Sequence, residues 1–276
     1  NFKLIADESY SNWVEQQGKP RHIVTLLSRR VTAEHIARVT AVTVKHQLNI
    51  DKITRLSGRM PLDRMESSSR SCVEFSLRGL PDELSVLRSS LLEMSSEMDV
   101  DMAYQEDNIF RRNRRVVVFD MDSTLIDAEV IDELAKEVGA GDQVAEITAA
   151  AMRGELDFKE SFGRRLRFLK GLDESVLETV AKRLQLTEGA EELMATLKLL
   201  GYKTAILSGG FDFFACRIQK KLGIDYVYAN QLEIIDGKVT GNISGEVVDG
   251  DRKAELLRNI AAGEKVSLEQ VIAVGD

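Results

Sequence analysis

The chain has 276 residues, 43% hydrophobic and 30% charged, with a formal net charge of −8 and a pI near 5.2. That length can form two domains, each with its own core, and the acidic balance excludes non-specific nucleic-acid binding, which needs a basic surface. No apolar run approaches the roughly 20 residues of a membrane span, and the polar N-terminal stretch is not a signal peptide, so a cytoplasmic protein is expected.

Residues 1–20 read as a polar N-terminal extension with room for one short helix around Trp13. Residues 22–27 predict a strand, 32–45 a helix opened by Thr32, and 48–56 a second strand. A polar loop follows over 58–71, then an alternating strand over 72–77. Residues 81–94 predict a helix with Pro81 in its first turn, and 100–104 a last short strand. This βαββαβ order describes an α+β unit over residues 21–107, an antiparallel sheet with both helices on one face. Residues 108–115, with the cluster Arg111-Arg112-Asn113-Arg114-Arg115, read as a solvated linker.

The second domain is expected over residues 116–276. Val116-Val117-Val118-Phe119 is an unbroken apolar run, the pattern of a strand buried on both faces in a parallel sheet. Helical patterns at 128–138, 141–153, 158–170 and 174–184 separate it from the next buried strand at 203–207. An insertion directly after a catalytic strand suits a cap or lid. A helix over 211–222, a hairpin of 226–234 and 238–243 around Asp236-Gly237, a helix over 251–261 and a buried strand over 271–274 complete the order. Cys72 and Cys216 fall in different domains without Cys or His neighbours, and read as reduced core residues. All three histidines, His22, His35 and His46, lie in the first domain and are excluded as acid–base groups of a site in the second.

Three apolar strands each end at a polar break: Asp120 and Asp122 after the first, Ser208-Gly209-Gly210 after the second, Gly275-Asp276 after the third. Open α/β sheets bind ligands at the carboxyl ends of their strands. Carboxylates gathered there are costly unless a cation compensates them, and Mg²⁺ is the usual partner of such a cluster. Ser208 and the bare amides of Gly209 and Gly210 can cradle phosphoryl oxygens. The pattern points to phosphoryl chemistry with a carboxylate nucleophile. Read singly, Ser-Gly-Gly is a flexible turn, Lys253 a surface lysine, Glu129 a first-turn helix acid, Arg165 a surface arginine and Phe158 plain core.

In combination these segments resemble the four motifs of the haloacid dehalogenase superfamily of aspartate-nucleophile phosphatases. Asp120-Met121-Asp122-Ser123-Thr124-Leu125 with Glu129, the stretch Gly154-Glu155-Leu156-Asp157-Phe158 with Ser161 and Arg164-Arg165, Ser208-Gly209-Gly210-Phe211 and Asp251-Arg252-Lys253 resemble its phosphoserine phosphatases. The resemblance covers residues 115–276 and implies a Rossmann-like parallel sheet with a helical cap at about residues 128–187. It also implies Mg²⁺-dependent hydrolysis of O-phospho-L-serine to L-serine and phosphate, the last step of serine biosynthesis.

Under that resemblance Asp120 attacks phosphorus and becomes an aspartyl-phosphate. Asp122 protonates the leaving oxygen and then activates water. Ser208, the Gly209 amide and Lys253 stabilise the phosphoryl oxygens. Mg²⁺ is held by Asp120, the Asp122 backbone carbonyl and Asp276. Glu129 pairs with the substrate ammonium, Arg165 holds its carboxylate and Phe158 seals the pocket. Two alternatives remain: a phosphatase for another small phosphomonoester, and an amino-acid-sensing protein with an inert phosphatase-like half.

The element order of residues 20–107 resembles the ACT domain, which often binds amino acids and pairs sheets side by side. The turn Ser28-Arg29-Arg30-Val31-Thr32 lacks the glycine common there, leaving open both ligand binding and a homodimerisation or scaffold role. The resembled phosphatases continue past the position of Asp276 with a Gly-rich turn and an Asn-Asp pair, so the chain is expected to be part of a longer active enzyme.

Overall fold

The structure, a computed structural model, describes residue 9 and residues 20–58 and 71–275. The expected helix around Trp13, the body of the 58–71 loop and Asp276 lie outside the described residues. The chain divides into two compact units, with the boundary between Arg112 and Asn113.

The first unit is a four-stranded antiparallel sheet of β1 (Arg21–Ser28), β2 (Asn49–Arg55), β3 (Ser71–Arg78) and β4 (Asp101–Glu106), in the order β2-β3-β1-β4. Alternation along β3 turns Val73, Phe75 and Leu77 inward. They pack with Val39 of α1 (Ala33–Lys45) and with Leu87, Leu91 and Met94 of α2 (Leu84–Met98), so both helices cover one face. Thr32 caps α1, its hydroxyl accepting from the His35 N–H at 3.3 Å while His35 Nδ1 accepts from the Thr32 N–H at 3.2 Å.

Two expectations change in this unit. Pro81 is not in the first turn of α2, which begins after Glu83 and runs on to Met98. The helix is centred on its buried seam of Leu87, Ser90, Leu91 and Met94, and ends where Asp99 turns left-handed at φ 51°. The arginine cluster is not a uniformly solvated linker either. Ile109–Arg112 forms a 3₁₀ turn, and Arg111 pairs with Glu74 of β3, both side chains largely buried. Cys72, on the opposite face of β3 from the core, is half-buried, as is Cys216 in the second unit.

The second unit holds a five-stranded sheet in the order β8-β7-β6-β5-β9: β5 (Val116–Phe119), β6 (Lys203–Phe211), β7 (Tyr226–Ile235), β8 (Lys238–Ser244) and β9 (Val271–Val274). The β7–β6, β6–β5 and β5–β9 neighbours run parallel, and β8 returns antiparallel through Asp236 and Gly237, both at positive φ. The sheet is covered on both faces, which explains its unbroken apolar run. Val117 and Phe119 pack with Ile206, Phe211 and Phe214, while Val116 and Val118 face Ala205, Leu207, Leu256 and Ile260.

Between β5 and β6 lie α3 (Val130–Glu137), α4 (Gly141–Met152), α5 (Phe158–Phe168), α6 (Ser175–Arg183) and α7 (Ala190–Leu199); α8 (Asp212–Leu222) and α9 (Gly250–Gly263) follow β6 and β8. The cap insertion closes on itself where the Thr187 N–H donates to Leu125 O at 3.0 Å and the Asp127 N–H to Gln185 O at 3.2 Å. Helix α7 goes beyond the four expected helices; it buries Ala190, Met194 and Leu197 at helical spacing.

Two strand expectations also change. The sharp break after Leu207 is a bulge inside β6, which pairs with β7 again at Phe211↔Asn230. Two glycines let the backbone arch there without leaving the sheet. Strand β9 is partly exposed, not buried, and stands at the sheet edge among the described residues. No helix of the described residues is long and apolar enough to cross a membrane.

Candidate active site

The parallel sheet places Asp120 at the carboxyl end of its inner strand β5, where its N–H donates to Val274 O of β9 at 2.9 Å. Asp120 Oδ1 accepts from the Met121 N–H at 2.7 Å. Its Oδ2 pairs with Lys253 Nζ. Lys253 stands in the first turn of α9, a helix capped by Asp249, whose Oδ1 accepts from the Arg252 N–H at 2.8 Å. A carboxylate beside an ammonium in a cleft can meet an incoming anion whose charge the ammonium partly neutralises.

After Asp120 the chain turns sharply, with Ser123 left-handed at φ 53°. The turn buries Asp122, whose Oδ1 accepts from the Val130 N–H at 2.9 Å and whose Oδ2 accepts from Ser208 Oγ at 3.4 Å. Burial pushes the Asp122 carboxyl up to about 7. The negative charges of Glu129 and Asp120 add to the rise, against the Val130 N–H and the Ser208 hydroxyl. A carboxyl balanced near neutrality can give a proton and take one back. Gly210 is required for this packing: a Cβ there would stand 2.3 Å from Asp122 Oδ2 and 2.7 Å from Met121 Cε.

The cap supplies the other wall. Glu129 precedes α3 and accepts from Ser123 Oγ at 2.8 Å. Arg165 of α5 is only 8% exposed; its Nη1 donates to Thr148 Oγ1 at 3.4 Å, and its buried Nε has no hydrogen-bond partner. Burial lowers the Arg165 pKa, against the pull of Asp132, Glu129 and Asp122. This is a desolvated cation with capacity to spare for a planar anion. Phe158, at the start of α5, stacks on Phe162 at 5.8 Å, and a Cβ on Gly209 would stand 2.8 Å from its Cζ. It is 41% exposed, so it forms one lip of an open pocket and does not seal it. Beside it, Lys159 reaches across to Asp249 at 2.9 Å.

One cavity of about 110 Å³ therefore gathers Asp120, Asp122 and Lys253 from the sheet side with Glu129, Phe158 and Arg165 from the cap. Gly209 and Gly210, with Ile131 and Phe162, complete its lining, and Ser208 is fully buried next to Gly209. Asp276 falls outside the described residues, and among the described residues no three His, Cys, Asp or Glu side chains converge as a metal cluster. The donors present, a carboxylate and the backbone carbonyls of a strand end, are hard oxygens that fit a small divalent cation. Gly275 lies against Asp120, a Cβ there standing 3.8 Å from the Asp120 Cβ.

Sequence reasoning missed Asn230. It is 1% exposed, donates from Nδ2 to Gly209 O at 2.7 Å, and accepts on Oδ1 from the Val248 N–H at 2.8 Å. The only signal available was an asparagine, a poor strand former, inside a strand that also carries Gln231 and Glu233.

With this geometry in place, residues 117–276 match the haloacid dehalogenase-like hydrolase family over more than half of the chain. The chain belongs to that family. Residues 20–105 match the ACT domain. The chain is similar to phosphoserine phosphatase of Streptomyces coelicolor, at 44% identity over 260 residues, covering 94% of this chain and 61% of that protein. It is similar to phosphoserine phosphatase of Archaeoglobus fulgidus, at 48% over 190 residues, covering 69% and 55%. It thus spans less than two thirds of the length of both relatives.

Among solved structures, a haloacid dehalogenase family hydrolase of Salmonella enterica serovar Typhi superposes with a TM-score of 0.72 at 29% identity, covering 93% of this chain and 83% of that one. The structure described as a phospho-aspartyl intermediate analogue of phosphoserine phosphatase superposes with a TM-score of 0.57 at 45% identity, covering 60% and 79%. The fold is the haloacid dehalogenase-like α/β fold, preceded by an ACT domain with an antiparallel sheet.

Proposed function

We propose that this haloacid dehalogenase-like hydrolase is a phosphoserine phosphatase, hydrolysing O-phospho-L-serine to L-serine and phosphate through an aspartyl-phosphate on Asp120. The observation that carries the reading is that a single small cavity presents a lysine-paired carboxylate, a second carboxyl raised to about 7, and a buried arginine beside a glutamate. The first two suit phosphoryl transfer, and the last two suit the carboxylate and ammonium of a small amino acid. The names of the similar proteins, at 44% and 48% identity, support the same substrate.

In this mechanism an Asp120 carboxylate oxygen attacks phosphorus while the serine oxygen leaves with the Asp122 proton. The Asp122 carboxylate then takes a proton from the water that attacks the acyl phosphate, releasing phosphate and regenerating Asp120. Lys253, Ser208 and the Gly209 amide balance charge on the phosphoryl oxygens. Glu129 and Arg165 orient the serine end, and Phe158 flanks the entrance. A divalent cation, which we infer to be Mg²⁺, would be held by Asp120, the Asp122 carbonyl and Asp276, where it supplies positive charge beside the phosphoryl group.

The reading places the enzyme in the cytoplasm at the last step of serine biosynthesis, with two copies pairing through the ACT domain and no membrane or nucleic-acid partner. The test is phosphate release by the full chain from O-phosphoserine, with Mg²⁺ and with a chelator, beside a sugar phosphate as control. Fast, Mg²⁺-dependent release from phosphoserine alone is expected. Equal rates on both substrates, or none on either, would overturn the assignment.

A further inference from the structure

The bulge in β6 raises a structural question of its own. Between Leu207 and Phe211 the strand leaves its ladder with β7, so Ser208, Gly209 and Gly210 have no paired residue in β7. A buried carbonyl in that position needs a hydrogen-bond donor or costs free energy. The Asn230 side chain provides it: Nδ2 donates to Gly209 O at 2.7 Å. Its other end is equally committed, since Oδ1 accepts from the Val248 N–H at 2.8 Å. Val248 immediately precedes Asp249, the cap of the helix that carries Lys253. One carboxamide therefore spans two segments that are distant in sequence, the glycine arch of β6 and the approach to α9.

The consequences run in both directions. Fixing Gly209 O fixes the plane of the Gly209–Gly210 peptide, and so the Gly210 N–H, which donates to Ser208 Oγ at 2.8 Å. Ser208 Oγ in turn reaches Asp122 Oδ2. Fixing the Val248 N–H anchors the residue ahead of the Asp249 cap, and with it the start of the helix from which Lys253 reaches Asp120. At 1% exposure the carboxamide has no water to exchange these bonds with, and both ends are used.

We propose that Asn230 is a positioning residue for phosphoryl transfer: it ties the Ser208-Gly209-Gly210 cradle to the Lys253 helix so that both meet the phosphoryl group in one fixed geometry. It touches no substrate atom in this scheme. The inference rests on the reading that the pocket transfers phosphoryl groups, and extends it to a residue outside the pocket lining.

The substitutions are Asn230→Asp and Asn230→Ser in the full chain, assayed with Mg²⁺ on O-phosphoserine and on p-nitrophenyl phosphate. Rates are expressed per folded molecule, with the folded fraction taken from denaturant titration, so a destabilised variant still reports. Asn230→Asp keeps an acceptor for Val248 but presents no donor to Gly209 until its carboxyl is protonated. At pH 8 its kcat should fall about 10²-fold, the size of a misplaced catalytic constellation. The KM for phosphoserine should move less than threefold, because the serine-binding groups stand on the cap. Inhibition by orthophosphate should weaken in parallel with kcat. The kcat of Asn230→Asp relative to the parent should recover as the pH is lowered and the new carboxyl gains a proton to donate, whereas Asn230→Ser should show no such recovery.

Folded variants with kcat and phosphate inhibition within twofold of the parent would overturn the proposal, and so would a KM effect larger than the kcat effect. A parent that hydrolyses p-nitrophenyl phosphate but not phosphoserine would defeat the substrate assignment alone, leaving the Asn230 comparison intact on the generic ester. A parent inactive on both would defeat the two together.

Discussion

Asp122→Asn isolates the cost of keeping a titratable group in the pocket. The carboxyl is raised from 3.8 to about 7, first by burial, while the unfolded chain retains the ordinary value. Each unit of difference corresponds to about 1.4 kcal/mol, so ionising Asp122 inside the fold costs roughly 4 kcal/mol in all. Because the folded value is the higher one, this contribution to stability is fully present below about pH 4 and is lost as the pH rises to about 7. The asparagine variant does not titrate. Its carboxamide oxygen can still accept from the Val130 N–H, and its nitrogen faces Ser208 Oγ, which can turn to accept.

The expected result is a stability difference, variant minus parent, that grows by up to about 1.4 kcal/mol per pH unit between roughly pH 4 and 7 and then levels off. Urea titrations at unit intervals from pH 4 to 8, followed by far-ultraviolet circular dichroism with chelator present, measure it directly. A difference that stays flat across this range, or that shrinks as pH rises, would refute the burial argument. The same variant should be inactive at every pH, since the amide has no proton to exchange at these values.

Asp120→Asn should abolish turnover on any phosphomonoester while leaving the circular dichroism spectrum unchanged, because the amide is no nucleophile; retained turnover would exclude the covalent route. Glu129→Gln should raise the KM for phosphoserine about tenfold, the loss of one charge-assisted contact, and change p-nitrophenyl phosphate kinetics far less, through the smaller rise of the Asp122 carboxyl alone; steady-state kinetics on the two substrates decide it. Gly210→Ala sets a methyl 2.3 Å from Asp122 Oδ2 and should destabilise the fold by about 1–3 kcal/mol while lowering kcat, both read on the purified variant.

Much of the architecture was legible because it follows from periodicity. The alternation of residues 71–78 and the unbroken run Val116–Phe119 each say which faces of a strand are covered, and the structure covers those faces. Boundaries were less legible where tertiary contacts decide them. Pro81 suggested a helix start that the buried seam of α2 does not use. Arg111, in the run 111–115, looked like solvated charge because its partner, Glu74, is 37 residues away in sequence. Helix α7 carried a readable seam in Ala190, Met194 and Leu197, but it lay between the end of the expected cap at about residue 187 and the strand at 203, where no element was expected.

The pocket shows the same division at finer scale. Asp120, Asp122, Ser208 and Lys253 could be picked out because strand ends and helix starts bring the responsible groups to one place, whatever the side chains between them do. Asn230 could not, since its role arises only once β6 bulges and leaves a carbonyl without a ladder partner. Nothing in the residues around position 230 announces that defect; it is created in the preceding strand by Gly209, 21 residues earlier, and its neighbour Gly210. Groups that meet substrate are selected by their own chemistry and leave a pattern along the chain. Groups that hold them in place are selected by the gap they fill, and the gap exists only in three dimensions. A positioning residue of this kind is therefore found by asking which buried backbone atoms lack a neighbour from regular structure, and which side chain has been placed to serve them.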